Sequence, residues 1–223
     1  MHPQHRRFMH AGARRPALAV AAAAAAALAL AGVGSASSAA CGFCGKNLIL
    51  NPGAEAGRGL TAVGALGNVP HWTNVSGQFG AAAYTGFGVG WFNANSKGSK
   101  TRGKNYFFGG TTPEATRAKA TVGTQTIKLP AAAARHKVTL SGWLGNYGTN
   151  TASVRAQFTD AAGKTLAALR IGPDSTIAGQ DMAFRTRSGT VPAGTASVLI
   201  TVTFTDHANY SLAGADDLSL VLS

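Results

Sequence analysis

The sequence predicts an all-β protein, an antiparallel β-sandwich of the jelly-roll type. Apolar residues alternate with Thr, Ser, Lys, Arg and Gln along several short runs, a period of two that is typical of strands with one buried face. Clusters of glycine and proline separate these runs at short intervals, as they do between the strands of antiparallel sandwiches. No segment combines a sustained helical period with capping residues, so we expect little helix.

The strands and turns follow from this alternation. The clearest strands are expected at 138–144, 154–158, 198–204 and 218–222, and turns at 145–148, 160–163, 172–173 and 192–194. The alanines at 131–134 follow Pro130 and predict one turn between strands. The segment 57–110 is richer in glycine, asparagine and aromatic residues, and we expect it to contain the long loops.

Residues 1–40 have the layout of a secretory signal peptide. Four arginines precede an apolar run that is dominated by alanine, and small residues follow it. The sequence Ser38-Ala39-Ala40-Cys41 also resembles a lipoprotein cleavage site, although Ser38 stands where that site usually has an aliphatic residue. We therefore expect an extracellular, secreted protein with one domain over residues 41–223, without membrane insertion.

The charge of the chain limits the classes of partner. It carries 20 basic and 8 acidic side chains, and removing the four arginines of the leader leaves a net charge of +8. Such a surface attracts polyanions, including nucleic acid, anionic lipid and acidic cell-wall polymers. Because export separates the protein from nucleic acid, we expect its partner to be a polysaccharide or cell-wall glycan, either neutral or anionic. We also expect a monomer.

Cys41 and Cys44 are the two cysteines of the chain. In an oxidising compartment they can close a small loop, whereas a redox centre of the C-x-x-C type expects a following helix, and here a strand is predicted. We favour a structural disulfide over a redox centre. A metal would need further ligands that no partner motif supplies.

Several motifs, in this order along the chain, resemble the galactose-binding-like jelly rolls, a superfamily that includes many carbohydrate-binding modules of secreted bacterial proteins. They are Asn47 to Glu55, Val69 to Trp72, Asn105 to Gly110, Gln125 to Ile127, Leu140 to Gly145, Gly189 to Thr195 and Ala215 to Leu222. The resemblance covers essentially the whole chain after the leader. It implies a non-catalytic, lectin-like function, and it places Trp72 in the core.

The resemblance also implies a structural calcium ion between the first and last strands. By position, its ligands are Glu55 and Asp216, with Asp217 as the substitute. Calcium requires several hard oxygen ligands, so backbone carbonyls near 51–57 would complete the shell. The alternative is that these acids are solvated charges that discourage pairing at a strand edge.

The sugar site is expected on an outer sheet face. Strand parity places Trp143 opposite the apolar set of its strand, and a hairpin centred near Gly148 would bring Arg155 and Gln157 beside it. A flat ring with planar polar groups suits the C–H face and the hydroxyls of a pyranose. The alternative for Trp143 is burial under a loop. Further candidates, in loops at one end of the sandwich, are Trp91, Phe92, Tyr147 and Tyr210.

Two further patterns bear on function. Four cations between 97 and 104 indicate either a patch for an anionic polymer or a solvated loop. No catalytic motif is present: the histidines are scattered, and Asp206 and His207, as neighbours on one strand, would point to opposite faces. We therefore expect a binding protein rather than an enzyme. The other class that remains open is a structural or adhesive cell-surface protein that uses the sandwich for protein contacts.

Overall fold

The computed structural model describes residues 41–86, 88, 91–110, 119–173, 180–205 and 212–223. The leader at 1–40, Glu114, Asp174, the pair Asp206 and His207, and Tyr210 lie outside these residues. The strands are β1 Thr73–Ser76, β2 Gly80–Ala83, β3 Asn105–Phe108, β4 Ala120–Lys128, β5 Lys137–Asn146, β6 Thr151–Thr159, β7 Thr165–Ile171, β8 Met182–Thr190, β9 Ser197–Thr205 and β10 Ala213–Leu222.

These ten strands form two antiparallel sheets of five strands each. Sheet I has the order β2-β3-β10-β5-β8, and sheet II has the order β1-β4-β9-β6-β7. A single 3₁₀ turn, Ala131–Ala133, lies at the predicted place between β4 and β5. Within the described residues, no helix has both the length and the apolar character that a membrane-spanning helix needs. The predicted all-β jelly-roll sandwich is confirmed.

The core between the sheets follows the predicted alternation. On β5, Val138, Leu140 and Leu144 are buried, while Lys137 and Trp143 on the same strand retain exposed surface. On β9, every second residue from Val198 to Phe204 is fully buried. Trp72 also lies in this core, as predicted, and its indole N–H donates to the carbonyl of Leu50 at 3.2 Å. Period two therefore assigned the faces of these strands correctly.

The predicted hairpin between β5 and β6 is wrong. The two strands lie in different sheets, since β5 pairs with β8 and β10, whereas β6 pairs with β7 and β9. The four residues 147–150 carry the chain from one sheet to the other. A short connection with glycine suggests a hairpin, but each strand gains two partners by joining a separate sheet, and of these only β7 follows its partner directly in the sequence.

The segment 47–55, here called the opening segment, begins alongside β10. The predicted adjacency of this segment and the last strand is therefore confirmed. The amide of Leu48 donates to the carbonyl of Leu220 at 2.9 Å, and the side chain of Asn47 bonds the backbone of β10 at both Leu218 and Leu220. The opening segment contributes an isolated bridge between Asn47 and Val221 rather than a full strand.

A bulge interrupts β10 between Asp216 and Ser219. Before the bulge the odd residues Ala213 and Ala215 pack in the core between the sheets. After it the even residues do so, namely Leu218, Leu220 and Leu222. At the bulge the φ angle of Asp217 is 45°, in the left-handed region. Bulges bend a strand and redirect its side chains, so this one places two consecutive carboxylates near each other on the outer side of sheet I.

A second apolar cluster covers part of the outer face of sheet I. The segment that joins β2 to β3, here called the cover segment (residues 84–104), brings Tyr84, Trp91 and Phe92 onto Tyr106 and Phe108 of β3. Gly145 and Gly214 lie beneath Phe92, where an added Cβ would approach its ring within 2.5 and 2.7 Å. The described residues of this predicted long loop, 84–86, 88 and 91–104, therefore include a packed aromatic layer over one sheet.

Candidate functional site

A groove next to the cover segment is the candidate binding site. It has a volume of about 350 Å³ and lies on the outer face of sheet I, and we call it the Trp143 groove. Its lining combines two aromatic rings with hydroxyl groups, one amide and one carboxylate. The lining residues are Asn47, Pro52, Ser99, Thr101, Ser141, Trp143, Phe184, Asp217, Leu218 and Ser219.

The two rings of the groove stand on adjacent strands. Trp143 on β5 pairs in register with Phe184 on β8, and their ring centroids are 5.7 Å apart at an interplanar angle of 57°. Phe184 is 49% exposed, which is high for a phenylalanine, whereas Trp143 is half-buried against the second cluster. The rings therefore present a rigid apolar surface with one open side.

Hydroxyl groups surround these rings. Ser141 lies two residues before Trp143 on the same face of β5. Ser219 on the adjacent strand β10 pairs in register with Ser141. From the cover segment, the hydroxyls of Ser99 and Thr101 lie 3.0 Å apart, and Thr101 also donates to Oδ2 of Asp217 at 3.3 Å. The groove is thus apolar at its rings and rich in donors and acceptors elsewhere.

Arg102 holds the cover segment in place. Its guanidinium donates to the carbonyls of Ser96 and Ala94 at 2.7 and 2.8 Å, and it lies 4.9 Å from the centre of the Tyr84 ring. Lys97 forms a surface ion pair of 3.4 Å with Asp181. Two of the four cations of the basic stretch 97–104 are thus engaged within the fold, and the choice between a polymer-binding patch and a solvated loop stays a prediction for Lys100 and Lys104.

Arg155 and Gln157 do not join Trp143. They lie on β6 in sheet II, where Arg155 pairs in register with Arg170 and the amide of Gln157 donates to the Thr165 hydroxyl at 2.8 Å. The prediction failed with the hairpin on which it depended, because Trp143 belongs to the outer face of the other sheet.

The outer face of sheet II has a different chemistry. Threonine and serine occupy much of it, and the described residues of β4, β6, β7 and β9 place no aromatic ring on this side. A platform for stacking a sugar ring is therefore missing beside Arg155 and Gln157 in the described part of this face.

The predicted loop aromatics are also separated from the groove. Trp91 is 1% exposed and Phe92 is fully buried, because both rings form the centre of the second cluster. Both rings are therefore covered in the structure, and the prediction that Trp91 contacts a ligand has no support from its position. Tyr147 is half-buried, packs against the same cluster and is not among the groove residues.

The three predicted calcium ligands lie near one another but have protein partners. Asp216 is fully buried, and its Oδ2 accepts from the Tyr84 hydroxyl at 2.7 Å while Oδ1 accepts from the Asp217 amide at 2.8 Å. The oxygens of Glu55 accept from the backbone amides of Lys104 and Asn105 at 3.0 and 2.9 Å.

Burial raises the pKa of Asp216 from 3.8 to about 7. The Tyr84 hydrogen bond opposes this rise, while the negative charges of Asp217 and Glu55 add to it. Burial likewise raises the pKa of the Tyr84 hydroxyl, and the nearby carboxylate of Asp216 adds to that rise. The protein groups around Asp216 thus do not compensate its charge.

The space beside Gly53 fits a hard cation. A Cβ at this position would lie 3.0 Å from Oδ1 of Asp216 and 3.7 Å from Oδ1 of Asp217, so glycine keeps that space open. Both atoms are carboxylate oxygens with free lone pairs, the donors that calcium prefers. The donor set therefore agrees with calcium in its chemistry.

Phe184 is the aromatic residue of the groove that the sequence analysis does not predict, and the lining hydroxyls of Ser99, Thr101 and Ser219 are likewise not predicted. A signal was present, because Met182, Phe184 and Thr186 alternate with Ala183 and Arg185 as in a strand. An aromatic residue beside arginine and threonine in such a run indicates an outward-facing ring. Its pairing with Trp143 could not be read locally, since the two residues are 41 positions apart in the printed sequence.

No protein-family model and no curated protein matches the chain. Among solved structures, the enzymatically active domain of tailspike protein 4 of bacteriophage CBA120 matches 79% of this chain with 17% identity and a TM-score of 0.51. This chain spans 21% of that tailspike chain.

Two smaller structures also match. The module TmCBM61, solved with β-1,4-galactotriose, matches 80% of this chain and is itself covered to 99%, with 15% identity and a TM-score of 0.47. The module named Family 16 Carbohydrate Binding Module-2 matches 78% of this chain and is covered to 99%, with 19% identity and a TM-score of 0.47. At these identities the likeness concerns the fold.

Proposed function

We propose that this protein is a secreted, non-catalytic, lectin-like protein that binds extracellular or cell-wall glycan in the Trp143 groove. The observation that carries the proposal is the pairing of Trp143 with the exposed ring of Phe184 inside a groove lined by hydroxyl groups. Secretion is supported by the leader-like sequence at 1–40 and by the disulfide between Cys41 and Cys44, a bond typical of oxidising compartments.

The binding mode follows from the chemistry of the groove. The ring faces cover the C–H surface of a pyranose, and Trp143 is held in position by its packing against the second cluster. Ser141, Ser219 and Thr101 exchange hydrogen bonds with sugar hydroxyls, and Asp217 accepts one from them. Because most of these groups are neutral, the groove favours a neutral sugar unit, even within a polymer that carries charge elsewhere.

The acidic residues of the groove favour binding over catalysis. Among the described residues that line the groove, Asp217 is the one carboxylate. Hydrolysis of a glycosidic bond ordinarily uses two carboxyl groups on either side of the bond. The groove therefore suits recognition better than cleavage.

Calcium completes the proposal as a structural ion. Of the acids Glu55, Asp216 and Asp217, the last two have oxygens facing the space beside Gly53, whereas Glu55 would have to turn its carboxylate from the amides of Lys104 and Asn105 to join them. The ion would brace the segment 47–55 against β10. It would also offset the charge that burial leaves uncompensated on Asp216. Metal analysis of the purified protein, and the melting temperature with calcium and with chelator, test this part; unchanged melting in both would contradict it.

The glycan proposal is tested by a glycan array followed by pull-down with the polysaccharide that binds. Phe184→Ala is the first variant, because its half-exposed ring can be removed with little effect on packing, and it is expected to weaken binding at least about tenfold. Trp143→Ala is expected to abolish binding. Gln157→Ala on sheet II is the matched control and should bind like the natural protein.

Two results would contradict the proposal. The first is binding that Phe184→Ala leaves unchanged and Gln157→Ala weakens, which would move the site to sheet II. The second is the absence of binding to every glycan of the array and to cell-wall preparations. That result would favour the structural or adhesive class, in which the sandwich contacts other proteins.

A further inference from the structure

A cluster of possible metal ligands, separate from the residues of the Trp143 groove, is formed by Cys41, Cys44 and His136. Their Sγ and ring nitrogen atoms all lie within 4.8 Å of one another, and all three residues are half-buried. The two cysteines are joined by a disulfide bond, and Sγ of Cys44 lies 3.5 Å from Nδ1 of His136. The sequence does not show this cluster, because 92 positions separate Cys44 from His136.

The backbone holds these donors in place by bonds that do not involve the disulfide. The amide of Gly45, next to Cys44, donates to the carbonyl of Leu222 on β10 at 2.9 Å. The carbonyl of His136 accepts from the amide of Val191 at 3.0 Å. The ring of Phe43 meets the imidazole edge-on, with the centroids 5.7 Å apart. The three donors therefore stay close when the disulfide is opened.

The cluster has an open side. A second groove, with a volume of about 470 Å³, is lined by Ala134, Arg135, His136, Lys137 and Ser223. An ion can approach the imidazole from this groove, and a water molecule has room to serve as a fourth ligand. Two thiolates, one imidazole and one water form a donor set that zinc accepts in tetrahedral sites.

We propose that Cys41 and Cys44, when reduced, bind one zinc ion together with His136, and that the disulfide closes this site. A thiol reductant such as a small dithiol supplies two electrons and is itself oxidised to a disulfide, while the Cys41–Cys44 bond breaks and each sulfur takes a proton. Zinc then displaces both protons and bonds the two thiolates and the lone pair of Nδ1. The segment 41–45 thus has two states. In one, its cysteines are joined by the disulfide and cannot bind metal; in the other, zinc holds the two cysteines together with His136.

The test uses the full-length chain, reduced with a phosphine and titrated with zinc against a chromophoric chelator. The reduced protein is expected to bind one zinc ion per chain, and the oxidised protein none. Cobalt(II) bound in place of zinc should show sulfur-to-metal charge-transfer absorption and the visible bands of a tetrahedral site. His136→Ala should lower the zinc affinity by more than the roughly 10–100-fold that losing an outer-shell partner costs.

The control variant is His71→Ala, which removes an exposed histidine outside the cluster and should leave the zinc affinity unchanged. Near-ultraviolet circular dichroism of each metal-free variant shows whether it is folded. Cys44→Ser, which removes one thiolate ligand, should lower the zinc affinity at least as much as His136→Ala, and if it is misfolded, Cys41→Ser provides the same test. Failure of the reduced natural protein to bind zinc, or a cobalt spectrum and zinc affinity that His136→Ala leaves unchanged, would overturn the proposal.

Discussion

The Tyr84 hydroxyl donates a 2.7 Å hydrogen bond to Oδ2 of Asp216 and so ties the cover segment to the central strand of sheet I. The two residues are 132 positions apart, and both are buried. The same contact lies between the second apolar cluster and the three carboxylates near Gly53, so it links the packing of the cover segment to the electrostatics of β10.

Tyr84→Phe tests the strength of this contact. The substitution keeps the ring and removes the donor, which leaves a buried carboxylate without a main partner. We expect the free energy of unfolding to fall by about 1–3 kcal/mol, the usual cost of an unsatisfied buried group. Urea unfolding of both proteins at pH 7 in chelator measures the change. A loss below about 0.5 kcal/mol would show that the bond contributes little.

Stability should depend on pH through Asp216. Its pKa in the folded protein, about 7, lies above its ordinary value of 3.8, so the folded state binds more protons between these values. This group therefore stabilises the fold fully below about pH 4, and its contribution is lost as the pH rises through 7. In chelator, we expect the natural protein to lose stability relative to Asp216→Asn between pH 4.5 and 7.5, by up to about 1.4 kcal/mol per pH unit. Parallel profiles for the two proteins would contradict this.

Arg102→Ala should loosen the cover segment. The guanidinium makes two bonds to backbone carbonyls and one contact with the Tyr84 ring, and all three are lost together. We expect a loss of about 1–3 kcal/mol and faster hydrogen exchange of the amides around 93–104. Arg102→Lys should not restore the natural behaviour, because an ammonium lacks the planar fork of donors. Lys100→Ala, at an exposed position of the same segment, is the control.

The period-two alternation fixed the inward faces of the strands because face assignment is a local property. Val138, Leu140 and Leu144 needed only their spacing in the sequence. Strand partners are not local: nothing near Trp143 in the sequence indicates Phe184 or Asp216, the residues with which it pairs. The sequence also shows Tyr84, Trp91 and Phe92 as aromatic residues, but their burial depends on the distant residues Tyr106 and Phe108, onto which they pack. The sequence therefore predicts the contribution of Trp143 to the candidate site. It does not predict the contribution of residues on neighbouring strands, such as Phe184 on β8.

Gly123→Ala should destabilise the core by overpacking. A Cβ at this position would come within 2.4 Å of three atoms of the Phe79 ring, which is itself stacked on Phe107 and Phe204. We expect a loss of about 1–3 kcal/mol in thermal or urea unfolding. Gly67→Ala is the matched control, since a Cβ there has no atom within 4 Å, and its effect should stay within about 0.5 kcal/mol.

Reduction of Cys41–Cys44 should lower the stability only modestly. The disulfide joins residues three positions apart, so the loop that it closes in the unfolded chain is short. Chain entropy then predicts a contribution of about 2 kcal/mol. Unfolding in zinc-free buffer with and without reductant measures it, and a loss of cooperative unfolding on reduction would show that the bond is needed for folding itself.

The central position of β10 governs the order in which the sandwich can assemble. β10 lies between β3 and β5 in sheet I and pairs with both. Until β10 is in place, each of these two strands lacks its neighbour on that side. A nascent chain that lacks residues 213–222 cannot close this sheet. Completion of sheet I therefore depends on contacts between residues that are far apart in the sequence, and such contacts slow the folding of β-sandwiches.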